Sequence, residues 1–283
     1  MHCPAPSLPP PPPDTPTATR PAQVWRVDGS HVVAGTDQLI EEIPVALVYN
    51  GISHAVLLAT PADLEDLALG FSLSEGILAS RTELYDAERV DGSRGIELRL
   101  EISSERFAGL KARRRNLAGR TGCGLCGVES LDALARPHPH VPPHAPVPIA
   151  AAFAGLAALP GHQPLRQTTG AVHAAAWIGR DGVIRALRED VGRHNALDKL
   201  LGHLAATRFD PADGFVLVSS RASYEMVQKT LALGIGSLVA VSAPTGLAVD
   251  LAREAGLGLA GFARDRRMVI YAGPERFSPV DQT

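Results

Sequence analysis

The second half of the sequence alternates short apolar segments with longer amphipathic ones. Apolar residues at helical spacing indicate two helices, over 223–233 and 245–255. These helices separate three segments of strand composition: 215–219, 238–242 and 257–262. Strands that alternate with helices of this length predict parallel strands joined by crossover connections, and 268–272 predicts an antiparallel edge strand. The sequence therefore predicts an α/β fold whose second half contains a mixed, mostly parallel sheet.

The remaining elements form two groups. In the first half, hairpin, helix and strand signals predict a small α+β domain. Its strands are 39–49 and 52–59, joined by an Asn50-Gly51 turn, and 84–90 and 95–102; its helix is capped at Thr60 and ends near Gly76.

In the second half, the segments before the alternating units predict three elements. They are a helix over 149–159, a hairpin of 171–178 with 183–187, and a helix from an Asn195 cap through Leu204.

Proline-rich stretches divide the chain. Residues 1–22 contain a proline run and are predicted to be a disordered leader. Residues 137–148 hold six prolines and three histidines, which excludes a helix and predicts an exposed linker. We therefore predict an N-terminal α+β domain over 23–118, a cysteine loop with linker over 119–148, and a C-terminal domain over 149–283.

Composition excludes several classes of protein. The formal net charge of −3 does not fit a general nucleic-acid binder, and any anion must be met by a local basic patch. No stretch of 18 or more apolar residues and no secretory signal are present, so we expect a cytoplasmic protein without a membrane span. Three cysteines are too few for a disulfide scaffold, which leaves redox, sulfur-handling or metal-binding roles for a C-x-x-C pair.

The pair Cys123 and Cys126 lies in a glycine-rich segment after a basic run. A thiolate is stabilised by nearby positive charge and by converging backbone N–H groups, and this segment offers both: Gly122, Gly124, Gly127, Lys111, Arg113, Arg114, Arg115 and Arg120. We predict Cys123 as the sulfur-bearing residue and Cys126 as the assisting one. The alternatives are an inert pair and half of a zinc site with His140 and His144, although the prolines around those histidines prevent the helix that a zinc finger uses.

Ligands of open parallel sheets bind beyond the carboxyl ends of the strands, where helix N-termini present free N–H groups. Three loops of the second half follow such strands, and guanidinium groups there suit phosphate. With the charged turn at 188–195, they give the predicted cofactor-binding residues: Ser219, Ser220, Arg221, Thr245, Phe262, Ala263, Arg264, Asp265, Arg266, Arg267, Arg188, Asp190 and Arg193. Asp190 could accept from a guanine or pterin edge. The alternatives are a solvated charged hairpin at 264–267 and an ordinary helix cap at 188–195.

Several motifs together resemble those of the FdhD/NarQ family of formate dehydrogenase accessory sulfurtransferases. They are T-G-C-G-L-C-G-V-E (121–129), R-E-D-V-G-R-H-N-A-L-D-K (188–199), S-S-R-A-S-Y-E-M-V-Q-K (219–229), S-A-P-T-G-L-A-V-D-L-A (242–252) and G-F-A-R-D-R-R (261–267). The similarity also covers E-E-I-P-V-A-L-V-Y-N-G-I-S (41–53) and L-A-L-G-F-S-L-S-E-G (67–76), so it extends from about residue 35 to 272. Together these motifs are far more specific than the C-x-x-C pair alone.

The resemblance implies that a cysteine desulfurase loads Cys123 with a persulfide. The sulfur would then pass to the bis(molybdopterin guanine dinucleotide) form of the molybdenum cofactor before insertion into formate dehydrogenase. It also implies cofactor contact by Phe262–Arg267, mimicry of the cofactor by GDP or GMP-like nucleotides, and a homodimer.

The resemblance further implies that the C-terminal domain is cytidine-deaminase-like, with α/β/α layers. A deaminase zinc needs H-x-E at one helix start and P-C-x-x-C at the next. Here those starts read Arg193-His194-Asn195 and Ser220-Arg221-Ala222, so we predict no zinc. Two other functions stay open: a non-catalytic chaperone that binds the molybdenum cofactor, and a zinc-binding deaminase-like protein.

Overall fold

The computed structural model describes residues 17–117, 140–207 and 209–278. The chain begins there with a long antiparallel hairpin of β1 (Thr19–Asp28) and β2 (His31–Ile40). The tip of this hairpin is exposed on both faces, including Trp25 and Val27. The prediction of disorder through residue 22 is thus wrong from Thr19 onward, because this segment pairs with β2 across the Gly29 turn.

The next elements build a four-stranded sheet covered by a helix. Its strands are β3 (Ile43–Tyr49), β4 (Ile52–Ala59), β5 (Leu84–Gly92) and β6 (Gly95–Ile102), in the order β4-β3-β6-β5. The Asn50-Gly51 turn has positive φ at both residues, as the predicted hairpin requires. Helix α1 (Leu64–Ser74) packs its apolar face on this sheet. Helix α2 (Ser104–Leu117), which the sequence analysis did not predict, follows β6.

The predicted Thr60 cap of α1 is wrong. The residue at the N-terminus of this helix is Asp63, in a left-handed conformation. Thr60 lies at the end of β4 and uses its backbone N–H and side-chain oxygen in contacts to Asp190 and Val191.

The second half of the chain forms a six-stranded sheet with helices on both faces. In chain order the elements of this half are β7 (Val147–Pro148), α3 (Ile149–Ala158), α4 (Pro164–Thr169), β8 (His173–Gly179), β9 (Ile184–Asp190), α5 (Arg193–Ala206), β10 (Gly214–Val218), α6 (Tyr224–Ala232), β11 (Ser237–Ala240), α7 (Gly246–Ala255), β12 (Gly258–Arg264), β13 (Arg267–Ala272) and β14 (Phe277–Ser278). Strands β7 and β14 pair with each other in a separate two-stranded sheet. The predicted Asn195 cap is wrong, since Gly192 caps α5, whereas α7 begins directly after a Thr245 cap, close to the predicted helix start.

The large sheet has the order β13-β12-β11-β10-β8-β9. The pairs β10–β11 and β11–β12 are parallel, and the other three neighbouring pairs are antiparallel. The sheet is therefore mixed, as predicted, but less parallel than predicted. Alternate residues of β10 point to opposite cores: Phe215 and Leu217 pack with α3, whereas Val216 and Val218 pack with α5, α6 and α7.

The two sheets are joined where α1 crosses α5. A Cβ atom on Gly70 would lie 1.7 Å from the Asp198 carbonyl oxygen, and one on Gly202 would lie 1.9 Å from the Asp66 carbonyl oxygen. The two helix backbones thus touch, and only glycine permits this approach.

Two buried ion pairs lie beside that crossing. Lys199 Nζ is 2.7 Å from Asp190 Oδ2, and both side chains are 0% exposed. Lys229 Nζ is 3.0 Å from Asp198 Oδ2, 2.6 Å from Glu75 Oε1 and 2.9 Å from Ser74 Oγ. Although burial lowers the pKa of Lys229, the neighbouring carboxylates of Asp198 and Glu75 raise it above its usual value. The ammonium is therefore charged, and it ties α6 to the end of α1.

Most of the described part of 137–148 is exposed, as the sequence predicted for a linker, but two of its residues pack into the domain. Val141 and Val147 are buried, and the Val141 N–H donates to the Ala255 carbonyl. The Arg276 guanidinium donates to the carbonyls of Val141 and Pro142. Prolines prevent a helix here, but an extended chain can still pack when a guanidinium binds its carbonyl groups.

None of the helices in the described ranges has the length and apolar character that a membrane-spanning helix requires. The domain boundaries proposed from the sequence stay predictions.

Candidate functional site

The parallel strands β10, β11 and β12 end at one edge of the large sheet, and the loops that follow them are hydrogen-bonded to each other. The Ser242 N–H donates to the Ser220 carbonyl, and the Thr245 N–H donates to the Ala222 carbonyl. Ala222 and Pro244 form an isolated parallel bridge. The structure thus brings the loops after β10 and β11 together, as predicted for the carboxyl edge of such a sheet.

Phe262 is the unusual residue of this edge. Its φ is 52°, a left-handed backbone conformation that a bulky residue rarely adopts, and its side chain is 46% exposed. The Phe262 N–H donates to the Ser242 carbonyl, and a Cβ atom on Gly261 would meet Pro244 Cδ at 2.7 Å. Strain that holds an aromatic ring in solvent is typical of functional sites.

A short hairpin tip joins β12 to β13. Asp265 and Arg266 form its two-residue loop, both with positive φ, and Arg264 pairs with Arg267 across it. Within the described residues, none of the three arginines forms an ion pair, so their guanidinium groups can receive an anion. Ala263 is fully buried in the core between the sheet and α3, and it anchors the hairpin rather than exposing a contact.

The hydroxyl groups of this edge hold the loops in place. Ser219 Oγ accepts from the Ala174 N–H, and Ser220 Oγ donates to the Arg221 carbonyl. Thr245 Oγ1 accepts from the Ala248 N–H at the start of α7. Arg221 is exposed beside them and has no ion pair among the described residues. Of these four predicted residues, Arg221 therefore offers the group that is most available to a ligand.

Arg188 and Asp190 lie in the junction between the two sheets. Arg188 pairs with Asp66 at 2.8 Å. The Asp190 carboxylate pairs with Lys199 and accepts from the N–H groups of Thr60 and Gly192 and from the Asn195 side-chain amide. Full burial and four donors argue against the predicted contact of Asp190 with a guanine or pterin edge.

Cys123 and Cys126 lie outside the described residues, as do His138 and Arg120. The predicted position of the cysteine loop beside the strand ends stays a prediction.

Comparison with known proteins decides the family. A model described as the FdhD/NarQ family matches residues 40–278 of this chain. The chain belongs to the FdhD/NarQ family. The resemblance that the motifs indicated is thereby confirmed.

Two relatives of this FdhD/NarQ chain are named sulfur carrier protein FdhD. The protein of Bordetella petrii is 56% identical over 257 residues, covering 90% of this chain and 92% of the relative. That of Cupriavidus necator is 57% identical over 258 residues, covering 89% and 87%. A solved protein of Desulfotalea psychrophila, described as a candidate formate dehydrogenase accessory protein, superposes with a TM-score of 0.75. At 21% identity, with 92% of this chain and 100% of that one covered, it supports the fold alone.

The FdhD/NarQ motif at 188–199 contributes mainly to the junction. Asp190, Asn195, Asp198 and Lys199 are all buried there. The sequence offered one signal for this role: charged residues at 198 and 199 sit inside an otherwise apolar helical pattern, where they need buried partners.

A contact between His194 and Glu225 was not predicted from the sequence. These residues occupy the first turns of α5 and α6, and His194 Nε2 lies 2.6 Å from Glu225 Oε2. The hydrogen bond from His194 holds the pKa of the Glu225 carboxyl below its usual value. Within the described ranges, no three His, Cys, Asp or Glu side chains are grouped as metal ligands would be.

The His173 imidazole, at the start of β8, is expected to titrate below its ordinary pKa of 6.5. Burial lowers this pKa, and the positive charges of Arg193 and Arg166 lower it further. The folded state therefore holds His173 neutral where the unfolded chain takes up a proton. The neutral His173 ring therefore contributes to the free energy of unfolding above the pKa of the unfolded chain, about 6.5, and this contribution is lost as pH falls through the lower pKa of the folded state.

NMR titration of the His173 ring checks the direction of this pKa shift, and a midpoint at or above 6.5 would contradict it. A His173→Gln variant should lose this part of the pH dependence of stability.

Proposed function

We propose that this protein is a sulfur carrier that acts in formate dehydrogenase maturation. It accepts persulfide sulfur from a cysteine desulfurase and transfers it to the molybdenum cofactor, bis(molybdopterin guanine dinucleotide), before insertion into formate dehydrogenase. The observation that carries this proposal is the T-G-C-G-L-C-G segment in a chain of the FdhD/NarQ family whose relatives, at 54–59% identity, are named sulfur carrier proteins.

The two cysteines account for the sulfur chemistry. The Cys123 thiolate attacks the outer sulfur of the desulfurase persulfide, a new S–S bond forms at Cys123, and the desulfurase cysteine leaves as thiolate. Release of that sulfur as hydrosulfide needs two electrons. Attack of the Cys126 thiolate on the Cys123 sulfur supplies them, because a Cys123–Cys126 disulfide forms while hydrosulfide leaves.

The strand-end edge supplies groups suited to the acceptor. The exposed ring of Phe262 offers a flat apolar face to a guanine or pterin ring. The guanidinium groups of Arg264, Arg266, Arg267 and Arg221 offer forks that bind phosphate oxygens. GDP and GMP-like nucleotides should therefore bind here as partial mimics of the cofactor. A cytoplasmic homodimer remains part of this proposal.

Transfer of sulfur-35 from labelled cysteine tests the proposal. Incubation of the full-length protein with a cysteine desulfurase and labelled cysteine should place reductant-sensitive label on Cys123, and Cys123→Ala should lose nearly all of it. Cys3→Ala is the matched control, since it removes a thiol outside the C-x-x-C pair. Full label on the Cys123→Ala protein would reject the assignment.

The same variants separate the two rival functions. A passive chaperone would still support formate dehydrogenase maturation as a Cys123→Ala, Cys126→Ala protein, whereas a sulfur carrier would not. A stoichiometric zinc in the purified protein, measured by elemental analysis, would instead favour the zinc-binding alternative.

A further inference from the structure

We infer that Arg166, His173 and Arg193 form a phosphate- or diphosphate-binding subsite at the β8–β9 end of the strand-end edge. This subsite is separate from the arginines of the β12–β13 hairpin. The inference deepens the proposed cofactor contact and, in its choice of a nucleotide phosphate, rests on the proposed function.

Backbone pairing and hydrogen bonds bring the three residues together. His173 opens β8 and pairs in register with Asp190, the last residue of β9. The neighbouring Glu189 carboxylate accepts from the Arg166 N–H at 3.0 Å and from the Leu165 N–H at 2.9 Å, so the turn that carries Arg166 is fixed to the end of β9. Arg193 follows Asp190 by three positions as the first residue of α5.

The carboxylates around this cluster are already engaged. Asp190 pairs with Lys199, Glu189 binds backbone N–H groups of α4, and Glu225 pairs with His194. Arg193 Nε is buried and has no hydrogen-bond partner among the described residues. A buried guanidinium N–H without an acceptor is costly, and an anion that enters this place would satisfy it.

The local potential agrees with this assignment. Burial lowers the pKa of His173, and the charges of Arg193, Arg166 and His194 lower it further, while Asp190 opposes them. Positive charge is therefore in excess around the His173 ring. An anion bound there would neutralise part of this charge and raise the pKa of His173.

The distance between the two basic clusters makes them independent subsites. Three inter-strand steps separate β8 from β12 in the sheet order. At about 4.8 Å for each step, the two strand ends lie roughly 14 Å apart. One diphosphate cannot bridge that distance, whereas an extended molecule with two phosphorylated arms can contact both clusters.

Binding of inorganic pyrophosphate to the full-length protein tests the inference, with affinity measured by calorimetry. An Arg264→Gln, Arg267→Gln protein removes two of the three hairpin guanidinium groups, which weakens the hairpin contribution, and it should still bind pyrophosphate. Adding Arg166→Gln to it should weaken binding by about tenfold or more, because a charge-assisted pair is lost. Adding Arg185→Gln, at the opposite end of β9, is the matched control and should leave the affinity within about twofold, because exposed ion pairs contribute little.

An independent readout is the His173 titration by NMR. Pyrophosphate should raise the pKa of His173 in the hairpin-deficient protein. Sulfate, whose charge is constant over this pH range, should do the same. Replacing pyrophosphate with GDP shows which kind of molecule supplies the bound phosphate. Tighter binding of GDP assigns the subsite to a nucleotide phosphate, and equal binding assigns it to a free diphosphate.

Complete loss of pyrophosphate binding in the Arg264→Gln, Arg267→Gln protein would overturn the inference, as would unchanged binding after Arg166→Gln. Neither result bears on Cys123, because this measurement involves no sulfur. Conversely, failure of the labelling experiment would reject the sulfur carrier and leave the anion subsite standing.

Discussion

Gly202→Ala is expected to destabilise the protein by about 3 kcal/mol, or to prevent folding, since overpacking a tight contact typically costs 1–3 kcal/mol and sometimes more. The added methyl group would lie 1.9 Å from the Asp66 carbonyl oxygen and 2.8 Å from the Gly70 nitrogen. Both are backbone atoms of α1, so no side-chain rotation can relieve the contact and the helices must separate. Thermal unfolding should show a fall in Tm of roughly 10 °C.

Gly109→Ala is the matched control for this helix glycine. Gly109 lies in α2, is exposed, and has no atom within 4 Å of an added Cβ. Alanine has the higher helix propensity, so this change should stabilise the protein by up to about 1 kcal/mol. A Gly202→Ala protein that melts within about 2 °C of the parent would show that the helices do not approach as closely as described.

Lys199→Met is expected to cost about 3–5 kcal/mol, because it leaves the Asp190 carboxylate buried without its cation. Lys199 also donates to the Thr60 carbonyl at 2.9 Å, and that acceptor would lose its partner as well. Urea unfolding measures the loss as a lower midpoint at unchanged slope.

The double variant Asp190→Asn, Lys199→Met separates the charge from the packing. It removes the unpaired carboxylate and should recover part of the lost stability, since replacing both members of a buried pair is far less costly than removing one. Arg185→Gln breaks an exposed ion pair with Asp181 and should change stability by less than about 1 kcal/mol. A Lys199→Met protein as stable as Arg185→Gln would contradict the role given to this pair.

The sequence predicted the elements whose signals are local. The Asn50-Gly51 hairpin, the helix over 245–255 and the strand-helix alternation after 215 depend on turn chemistry and periodicity, and the structure has them. The β1–β2 hairpin and α2 were not predicted, although Gly29-Ser30 is a two-residue turn between segments that contain valine and tryptophan. A proline-rich segment precedes β1 and an arginine run lies within α2, and neither composition is typical of a strand or of an apolar helix face.

The site could be predicted only in part, because charge in a sequence does not reveal its partner. Arg188 and Asp190 have the same residue types as a ligand-binding turn, yet α1 and α5 enclose them when the halves pack. Arg264 and Arg267 are equally charged and remain exposed, because a two-residue turn places them at the edge. The junction residues and the hairpin arginines therefore differ in burial and not in charge. Burial depends on contacts between residues more than a hundred positions apart in the chain, such as Thr60 with Asp190.

The α1–α5 crossing also limits how the protein can deliver its cargo. A hinge that swung the four-stranded sheet away from the six-stranded one would carry Glu75 away from Lys229 and strip Asp190 of Thr60. Glu75 would then lose its cation, and the buried Asp190 carboxylate would lose a hydrogen-bond donor although it keeps Lys199. Each buried group left short of a partner costs about 1–3 kcal/mol. The two halves are therefore not expected to open like a clamshell. Any distance between the Cys123 thiol and the bound cofactor has to be closed while the α1–α5 crossing stays intact.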